Sequence, residues 1–454
     1  MLENDNKTII RDCVTLESTI DEAMDWVGRY LSLPGGQLAA QNSLKNYRRL
    51  ARRYHRAAQR KPCAAVFGAS QVGKSYLVSN MAKLPGADTL EIIVPGENKR
   101  IDFIKHINPS GGRESTGLVT RFTIDNNHHP GDAPFFLGLL SQTDIVKILT
   151  NGYLSDIKDR QDDINREQIQ ELFKNLQPKD SPKPVDGMDE DDIYDLKEYL
   201  TQNFNDQILI RDLTRIHFWE DIADLAPRLK SEDRWQVFHL LWGKLPLLTE
   251  LFNKLSCGLK ALGFAPEARC GLDALVPKEI NREGTVTPNT IIDVQVINRL
   301  LEQDKDTLGA VTVTGSTGCT ASLSKSLLTG LIAEITMILP PELGNQPSRS
   351  FFNHIDLLDF PGARSRKKIP LANLAGDSIH ENIEVFLRGK IAFLFDRYSY
   401  ENEITSLLLC IADGPQEVQS IPQLIGDWVY KTHGDIPEKR NNKMVSLLTV
   451  FTKF

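Results

Sequence analysis

The stretch Gly68-Ala69-Ser70-Gln71-Val72-Gly73-Lys74-Ser75 matches the pattern G-x-x-x-x-G-K-[ST]. This pattern is typical of a loop that binds phosphate between a strand and a helix. Residues 63–67 before it form an apolar run of strand length, and residues 76–82 after it can continue as a helix. The stretch therefore predicts an α/β domain with a phosphate-binding loop at the end of a buried strand.

Each residue type in this loop suits the binding of an anion. Gly68 and Gly73 let the backbone curl closely around a phosphate, and the amides of residues 71–75 point at its oxygens. Lys74 supplies a positive charge for the outer phosphates. The Ser75 hydroxyl is a ligand for Mg²⁺, which keeps several waters and takes few protein ligands. We expect the bound phosphate compound to contact Gly68, Gln71, Val72, Gly73, Lys74, Ser75 and Tyr76.

A second motif supplies the acid that a magnesium–phosphate site needs. The apolar run at 355–358 leads into Asp359-Phe360-Pro361-Gly362. Asp359 is expected to hold Mg²⁺ through a water, and the Gly362 amide to meet the terminal phosphate. Taken alone this motif is a turn. Together with the loop at 68–75 it predicts that the Ser75 hydroxyl and the Asp359 carboxylate lie side by side.

Two threonines complete the order of motifs along the chain. Thr120 follows a polar loop and is expected to close over Mg²⁺ when the outer phosphate is bound, although alone it would be an ordinary strand threonine. Thr452 and Lys453 follow an apolar run at 445–450. In guanine-nucleotide domains such a strand ends in [NT]-K-x-D, whose Asp reads the base. Here that position would follow Phe454, so the choice between GTP and ATP stays open, and we expect residues 63–454 to lack the last base-contacting loop.

The pattern of apolar residues predicts four regions: residues 1–61, 62–135, 136–290 and 291–454. The first is a helical extension, and the third is a mainly helical insertion. The second and fourth are two parts of one α/β domain. Helices are predicted at 15–32, 39–60, 166–176, 191–204 and 233–262, and strands at 118–124, 310–314, 355–358, 406–412 and 445–450. Because buried parallel strands are continuous apolar runs, we expect a mostly parallel sheet flanked by helices.

Composition excludes several classes of protein. The chain has 454 residues, 41% hydrophobic and 25% charged, which is typical of several folded domains rather than a disordered chain. Its formal net charge of -7 argues against a nucleic-acid partner. The six cysteines form no C-x-x-C pair, which favours a reducing compartment. The N-terminus lacks the pattern of a signal peptide, and the apolar stretch 327–339 is too short to span a membrane, so we expect a cytoplasmic protein.

The predicted helix at 39–60 carries a basic face. Its basic residues are Lys45, Arg48, Arg49, Arg52, Arg53, Arg56 and Arg60. One alternative is a solvated face or a surface for another, acidic part of this chain. The other alternative is a docking face, over residues 44–60, for anionic lipid or an acidic partner.

The order of these motifs resembles that of dynamin-type GTPases. The resemblance implies a P-loop GTPase fold and assigns the phosphate and metal contacts to Lys74, Ser75, Thr120, Asp359 and Gly362. Like dynamins, the chain lacks the polar residue that orients water in Ras-like enzymes, because Ala363 stands there. Dynamins instead use polar groups of the phosphate loop and dimerise across the nucleotide face. Ser70 and Gln71 are therefore the candidates for positioning water, although dynamins usually carry Gln and then Ser.

A wider resemblance is to the SrfC-like family of bacterial virulence factors. It is carried by residues 67–75, 240–243, 357–364 and 388–398. The name implies a bacterial cytoplasmic protein or a delivered effector, encoded with companion Srf proteins, and it implies no reaction. We expect a virulence factor that binds guanine nucleotide with Mg²⁺ and hydrolyses GTP as a switch. The alternatives are a nucleotide-binding scaffold or toxin component with little hydrolysis, and an ATP-using P-loop protein.

Overall fold

The protein is an α/β molecule with many helices around one large mixed sheet. The computed structural model describes residues 2–31, 34–69, 72–97, 99–108, 116–125, 133–160, 162, 164–179, 181–276, 289–302, 309–364, 366–375, 378–412, 421–441 and 446–453. A small second sheet of two strands accompanies the large one among these residues.

The described strands come from most of the chain, and all but two of them join the large sheet. The strands are β1 (Cys63–Gly68), β2 (Glu91–Val94), β3 (Lys99–Asp102), β4 (Val119–Thr123), β5 (Phe135–Leu139), β6 (Ile157–Lys158), β7 (Glu267–Cys270), β8 (Ala310–Gly315), β9 (Thr320–Ser324), β10 (Ile332–Ile338), β11 (Asp356–Asp359), β12 (Ile369–Pro370), β13 (Ile404–Ala412) and β14 (Leu447–Lys453). Within the described residues, the main path runs β14-β13-β1-β11-β4-β10-β5-β7-β8-β9, and β2 and β3 extend from β10. Strands β6 and β12 pair separately.

The prediction of a mostly parallel sheet is wrong, because most neighbouring strands are antiparallel. Among the described strands of this sheet, the parallel pairs are β14 with β13, β13 with β1, β1 with β11, and β4 with β10. The run from β10 through β5, β7, β8 and β9 is antiparallel throughout. An apolar run predicts that a strand is buried but says little about the direction of its partner. β8, which alternates between exposed and buried residues, forms a hairpin with β9.

Helices cover the sheet and form the region between β5 and β7. They are α1 (Leu2–Tyr30), α2 (Pro34–Gln59), α3 (Lys74–Ala82), α4 (Gln142–Asp156), α5 (Arg166–Leu176), α6 (Glu190–Phe204), α7 (Ile208–Arg215), α8 (Phe218–Leu225), α9 (Trp235–Phe238), α10 (Pro246–Ala261), α11 (Lys325–Leu331), α12 (Leu371–Ala375), α13 (Ile379–Tyr400), α14 (Ile421–His433) and α15 (Pro437–Arg440). The predicted helix at 233–262 is broken, because Gly243 adopts a left-handed conformation and Pro246 starts α10. Helices α4 and α13 pack so closely that a Cβ on Gly389 would lie 2.2 Å from the Ile148 carbonyl oxygen.

The basic face of α2 contacts acidic residues of this chain. Arg48 and Arg52 both bind Asp191, at 3.1 and 2.7 Å. Arg60, just after α2, binds the buried Glu403 at 2.7 Å. These pairs correspond to the alternative of a surface for an acidic part of the chain, and a membrane contact through residues 44–60 stays a prediction.

Candidate functional site

Four strand ends and one strand start meet at one edge of the sheet. Because β14, β13, β1 and β11 are parallel neighbours, their carboxyl ends lie at the same edge. β4 runs antiparallel to β11, so its first residues lie at that edge too. β1 has β11 as its neighbour on one side and β13, which comes later in the chain, on the other. A crevice at such a reversal of strand order is where α/β sheets bind ligands.

The loop after β1 has the backbone that its glycines predict. A Cβ on Gly68 would lie 2.5 Å from the Cys410 carbonyl oxygen, so only glycine fits beside β13. Gly73 precedes α3 with φ 93 and ψ 18, a left-handed conformation that favours glycine. Ser70 and Gln71 lie outside the described residues, and their role in positioning water stays a prediction.

Lys74 is buried and turned onto its own loop. Its Nζ donates to the carbonyl oxygens of Ala69 at 2.7 Å and Gly68 at 3.3 Å. Lys74 is the first residue of α3, and the unpaired backbone N–H groups of that first turn give the helix end a partial positive charge. A positive charge and a helix N-terminus are thus brought together within the curl of the loop.

Ser75 and Asp359 lie side by side, as the motifs predict. The Ser75 Oγ donates to Asp359 Oδ2 at 3.2 Å. The parallel register of β1 and β11 pairs Val66 with Asp359, which brings the carboxylate next to the loop. Asp359 Oδ1 is buried and has no hydrogen-bond partner among the described residues. A half-buried hydroxyl and a buried carboxylate with one oxygen left over are the hard oxygen ligands that Mg²⁺ prefers.

Burial changes the acidity of Asp359. Its exclusion from water raises the pKa of this carboxyl to about 6, although the Lys74 charge and the Ser75 hydrogen bond both oppose that rise. Near neutral pH the carboxyl is therefore mostly ionised and able to bind a cation. In mild acid it takes up a proton and loses that ability.

Thr120 lies beside Asp359 but within a strand. The antiparallel register of β4 and β11 pairs these two residues directly, and Thr120 is buried. Paired residues of neighbouring strands project from the same face. The structure thus brings Thr120 to the site, whereas the idea that it closes over a bound ion stays a prediction.

The residues after Asp359 continue along the loop. The Ala363 N–H donates to the Gly68 carbonyl oxygen at 3.0 Å, and Ala363 forms a bridge with Ala69. Gly362, just before it, is buried at the same place. This backbone contact holds the segment after β11 against the loop of residues 68–75.

The end of β14 also reaches the loop. The Thr452 hydroxyl donates to the Val72 carbonyl oxygen, and Thr452 Cβ lies 3.2 Å from where a Cβ on Gly73 would be. Lys453 pairs with Ala412 of β13, but its side chain lies outside the described residues. The side chain of Tyr76, in the first turn of α3, is 73% exposed, and its contact with a phosphate compound stays a prediction.

Sequence reasoning missed two contributors to this site. Cys410 confines Gly68 through its backbone, which no side-chain pattern could have indicated. Arg364 follows Ala363 directly and therefore lies next to the loop. The signal for Arg364 was present in the basic run of residues 364–368, directly after the D-x-P-G motif.

A family model described as "Putative bacterial virulence factor" matches residues 23–454, which include every residue of this site. The chain belongs to that family. No curated protein matches the chain. No helix in the described part of this virulence-factor family member is long and apolar enough to cross a bilayer. The family description names neither a ligand nor a reaction, so the chemistry rests on the site.

Proteins bind metal ions in two ways, either through side chains alone or through a few side chains together with phosphate oxygens and water. Among the described residues, no group of three or more His, Cys, Asp or Glu side chains is placed to hold an ion. The pair Ser75 and Asp359 fits the other way of binding Mg²⁺, in which one or two protein ligands share the ion with phosphate oxygens and water.

Proposed function

We propose that this chain binds a nucleoside triphosphate with Mg²⁺ at the loop of residues 68–75 and hydrolyses it as a switch. The observation that carries this proposal is the contact between Ser75 Oγ and Asp359 Oδ2, beside a buried oxygen without a partner. A P-loop sequence occurs by chance, but a chance loop has no reason to meet a buried carboxylate from a neighbouring strand.

The chain's own groups divide the work of binding. Backbone N–H groups of the loop and the start of α3 would hold phosphate oxygens. The Lys74 ammonium, now bonded to loop carbonyls, would turn to the outer phosphates. Ser75 and Asp359 would hold Mg²⁺, which neutralises charge on the phosphates.

Guanine is the base that we propose. Thr452, at the end of β14, bonds to the loop, so the residues that follow it would begin beside the nucleotide. The dynamin-like fold, the homodimer across the nucleotide face and the use of Ser70 and Gln71 belong to the same proposal. ATP is the competing nucleotide, and titration with both distinguishes them.

The test compares Lys74→Ala with Lys83→Ala, which removes a lysine just beyond the far end of the same helix. Calorimetric titration with GTP, ATP and their diphosphates, with and without Mg²⁺, measures affinity. We expect wild type and Lys83→Ala to bind GTP in a Mg²⁺-dependent way, and Lys74→Ala to lose at least ~10-fold in affinity with its unfolding midpoint nearly unchanged. Wild-type protein that binds no nucleotide would remove the proposal.

A second candidate function is nucleotide binding without turnover. It is favoured by Ala363, whose methyl side chain cannot orient water and whose N–H is already bonded to Gly68. Single-turnover hydrolysis at increasing protein concentration separates the two functions. A rate that rises with concentration favours a switch activated by dimerisation, and tight binding with no turnover favours a scaffold.

A further inference from the structure

The segment after Ala363 is strongly basic and begins at the phosphate loop. It reads Arg364-Ser365-Arg366-Lys367-Lys368, of which Ser365 lies outside the described residues. The Ala363 N–H bonds to Gly68, and consecutive Cα atoms are ~3.8 Å apart. The Arg364 backbone is therefore one residue from the loop, and its long side chain can reach an anion bound there.

The Glu384 carboxylate binds two arginines, Arg364 and Arg388. Arg364 Nη1 donates to Glu384 Oε1 at 3.1 Å, on α13. Glu384 Oε2 also accepts from Arg388 Nη2 at 2.8 Å, and the Arg388 side chain is only 3% exposed. If Arg364 turns away, Glu384 keeps a buried counter-charge. The movement therefore avoids the main cost of breaking a buried ion pair, which is an unpaired charge.

The other basic residues anchor the segment to the end of α4. Arg366 Nη2 donates to Asn151 Oδ1 at 2.8 Å, and its Nη1 lies 3.6 Å from the fully buried Asp156. Lys368 Nζ donates to the Ser155 carbonyl oxygen at 3.0 Å. Arg366 and Lys368 thus fix the segment against the end of α4.

We propose that Arg364 is a catalytic residue of the proposed nucleotide site, where its guanidinium exchanges Glu384 for oxygens of the outer phosphate. In hydrolysis a water oxygen bonds to the outer phosphorus while the bond to the bridging oxygen breaks. The diphosphate leaves with the electron pair, and the water protons pass to phosphate and solvent. Negative charge on the equatorial oxygens is then stabilised by an arginine from the same chain. This inference rests on the proposed function. The Arg364 guanidinium would add positive charge at a site where Ala363 cannot orient water.

The experiment measures binding as well as turnover. Wild type, Arg364→Ala, Arg364→Lys and Lys367→Ala are titrated with GTP, with GDP, and with GDP plus aluminium fluoride, which mimics the transferred phosphoryl group. Lys367 is the matched control, because it is an exposed cation of the same segment. Thermal unfolding of each variant without nucleotide shows whether it is folded.

We expect Arg364→Ala to bind GTP and GDP within about two-fold of wild type but to lose the added affinity for GDP with aluminium fluoride. Its single-turnover rate should fall by ~1,000-fold or more. Arg364→Lys should recover little, because an ammonium lacks the bidentate geometry, and Lys367→Ala should match wild type.

Three outcomes overturn this inference in different ways. If Arg364→Ala keeps both the aluminium fluoride complex and the rate, Arg364 is not catalytic although the nucleotide site stands. If wild type binds nucleotide but neither hydrolyses it nor takes up aluminium fluoride, the inference is wrong and the binding proposal stands. If wild type binds no nucleotide, both are wrong.

Discussion

At Asp359, folding favours the protonated carboxyl, whereas the proposed binding of Mg²⁺ needs the ionised one. Its carboxyl is buried, one oxygen has no hydrogen-bond partner among the described residues, and its pKa is raised to about 6. In the unfolded chain the group ionises near its ordinary value of 3.8. The folded state thus holds the proton more strongly than the unfolded chain does. Below pH 3.8 the carboxyl is protonated in both states, and its raised pKa does not lower the free energy of unfolding. Between pH 3.8 and about 6 the free energy of unfolding is lowered progressively, and above about pH 6 it is lowered by the full amount.

The variant Asp359→Asn should therefore be more stable than wild type and unable to respond to Mg²⁺. Near neutral pH we expect the free energy of unfolding without ligands to rise by about 1–3 kcal/mol, because an uncharged amide is easier to bury. Urea unfolding with and without Mg²⁺ and GTP measures both effects.

The pH dependence provides the control for this prediction. The stability gain of Asp359→Asn should shrink in mild acid, where wild type is protonated at this position. A gain that is equal at neutral and acid pH would show that the charge of Asp359 is not its cause. In wild type, the shift of the unfolding midpoint by Mg²⁺-nucleotide should weaken as the pH falls through about 6.

At the scale of elements, one buried arginine joins β4 to three neighbouring segments. Arg121 binds both oxygens of Glu334 on β10, at 2.9 and 3.0 Å. It also binds Asp356 at the start of β11 at 3.2 Å and Glu403 just before β13 at 2.6 Å. Three carboxylates thus share this guanidinium at the edge of the sheet opposite the loop, and Arg60 and Lys61 add further positive charge there.

Replacing this arginine should be strongly destabilising. Arg121→Met would leave Glu334, Asp356 and Glu403 short of a buried partner, and we expect a loss of ~3–5 kcal/mol in the free energy of unfolding. Chemical denaturation measures it. Arg100→Met is the control, since Arg100 pairs with Glu342 on the surface and should cost ~1 kcal/mol or less. Equal costs for the two variants would contradict the role of burial.

Two helices of the region between β5 and β7 start where the sequence predicts. Residues 166–176 coincide with α5, whose start carries a capping box between Asn165 and Gln168. The acidic run at 189–192 begins α6, where Asp189 caps the helix. By contrast β5 and β7 were missed, because strands of five and four residues carry little periodicity and are recognised only by their neighbours.

At the scale of the whole molecule, the N-terminal helices are held by charges that the sequence places far apart. Asp191, in the first turn of α6, binds Arg48 and Arg52 of α2, and its side chain is 13% exposed. The basic face of α2 thus binds the acidic run at 189–192, although the two lie far apart in the sequence. The contact joins the N-terminal helices to the helical region between β5 and β7.

Removing the shared acid should loosen this contact without unfolding the sheet. We expect Asp191→Asn to lower the free energy of opening of α1 and α2 by about 1–2 kcal/mol, because two arginines lose a half-buried partner. Amide hydrogen exchange should show faster exchange in α2 and unchanged protection in β1 and β13. Asp12→Asn, which removes an exposed acid paired with Arg11, should change neither.

The chain's amino-acid pattern was enough to predict the turn at residues 68–75 between β1 and α3, the adjacency of Ser75 and Asp359, and the helices α5 and α6. The turn and the two helices depend on residues within a few positions of one another: glycines that permit tight turns, a strand before a helix, and caps. Ser75 and Asp359 are 284 positions apart, and their adjacency was predicted from the order of the motifs. Such local preferences act in any context, so they can be recognised without knowing the rest of the fold.

The direction of most strands, the pairing of Thr120 with Asp359, and the pairing of α2 with α6 came from the folded molecule. Each depends on contacts between segments far apart in the chain, such as the antiparallel pairing of Thr120 with Asp359. An apolar run is equally satisfied by a parallel or an antiparallel neighbour, and a basic helix by any acid. Only packing all segments around one core selects among those partners, because each choice constrains the others.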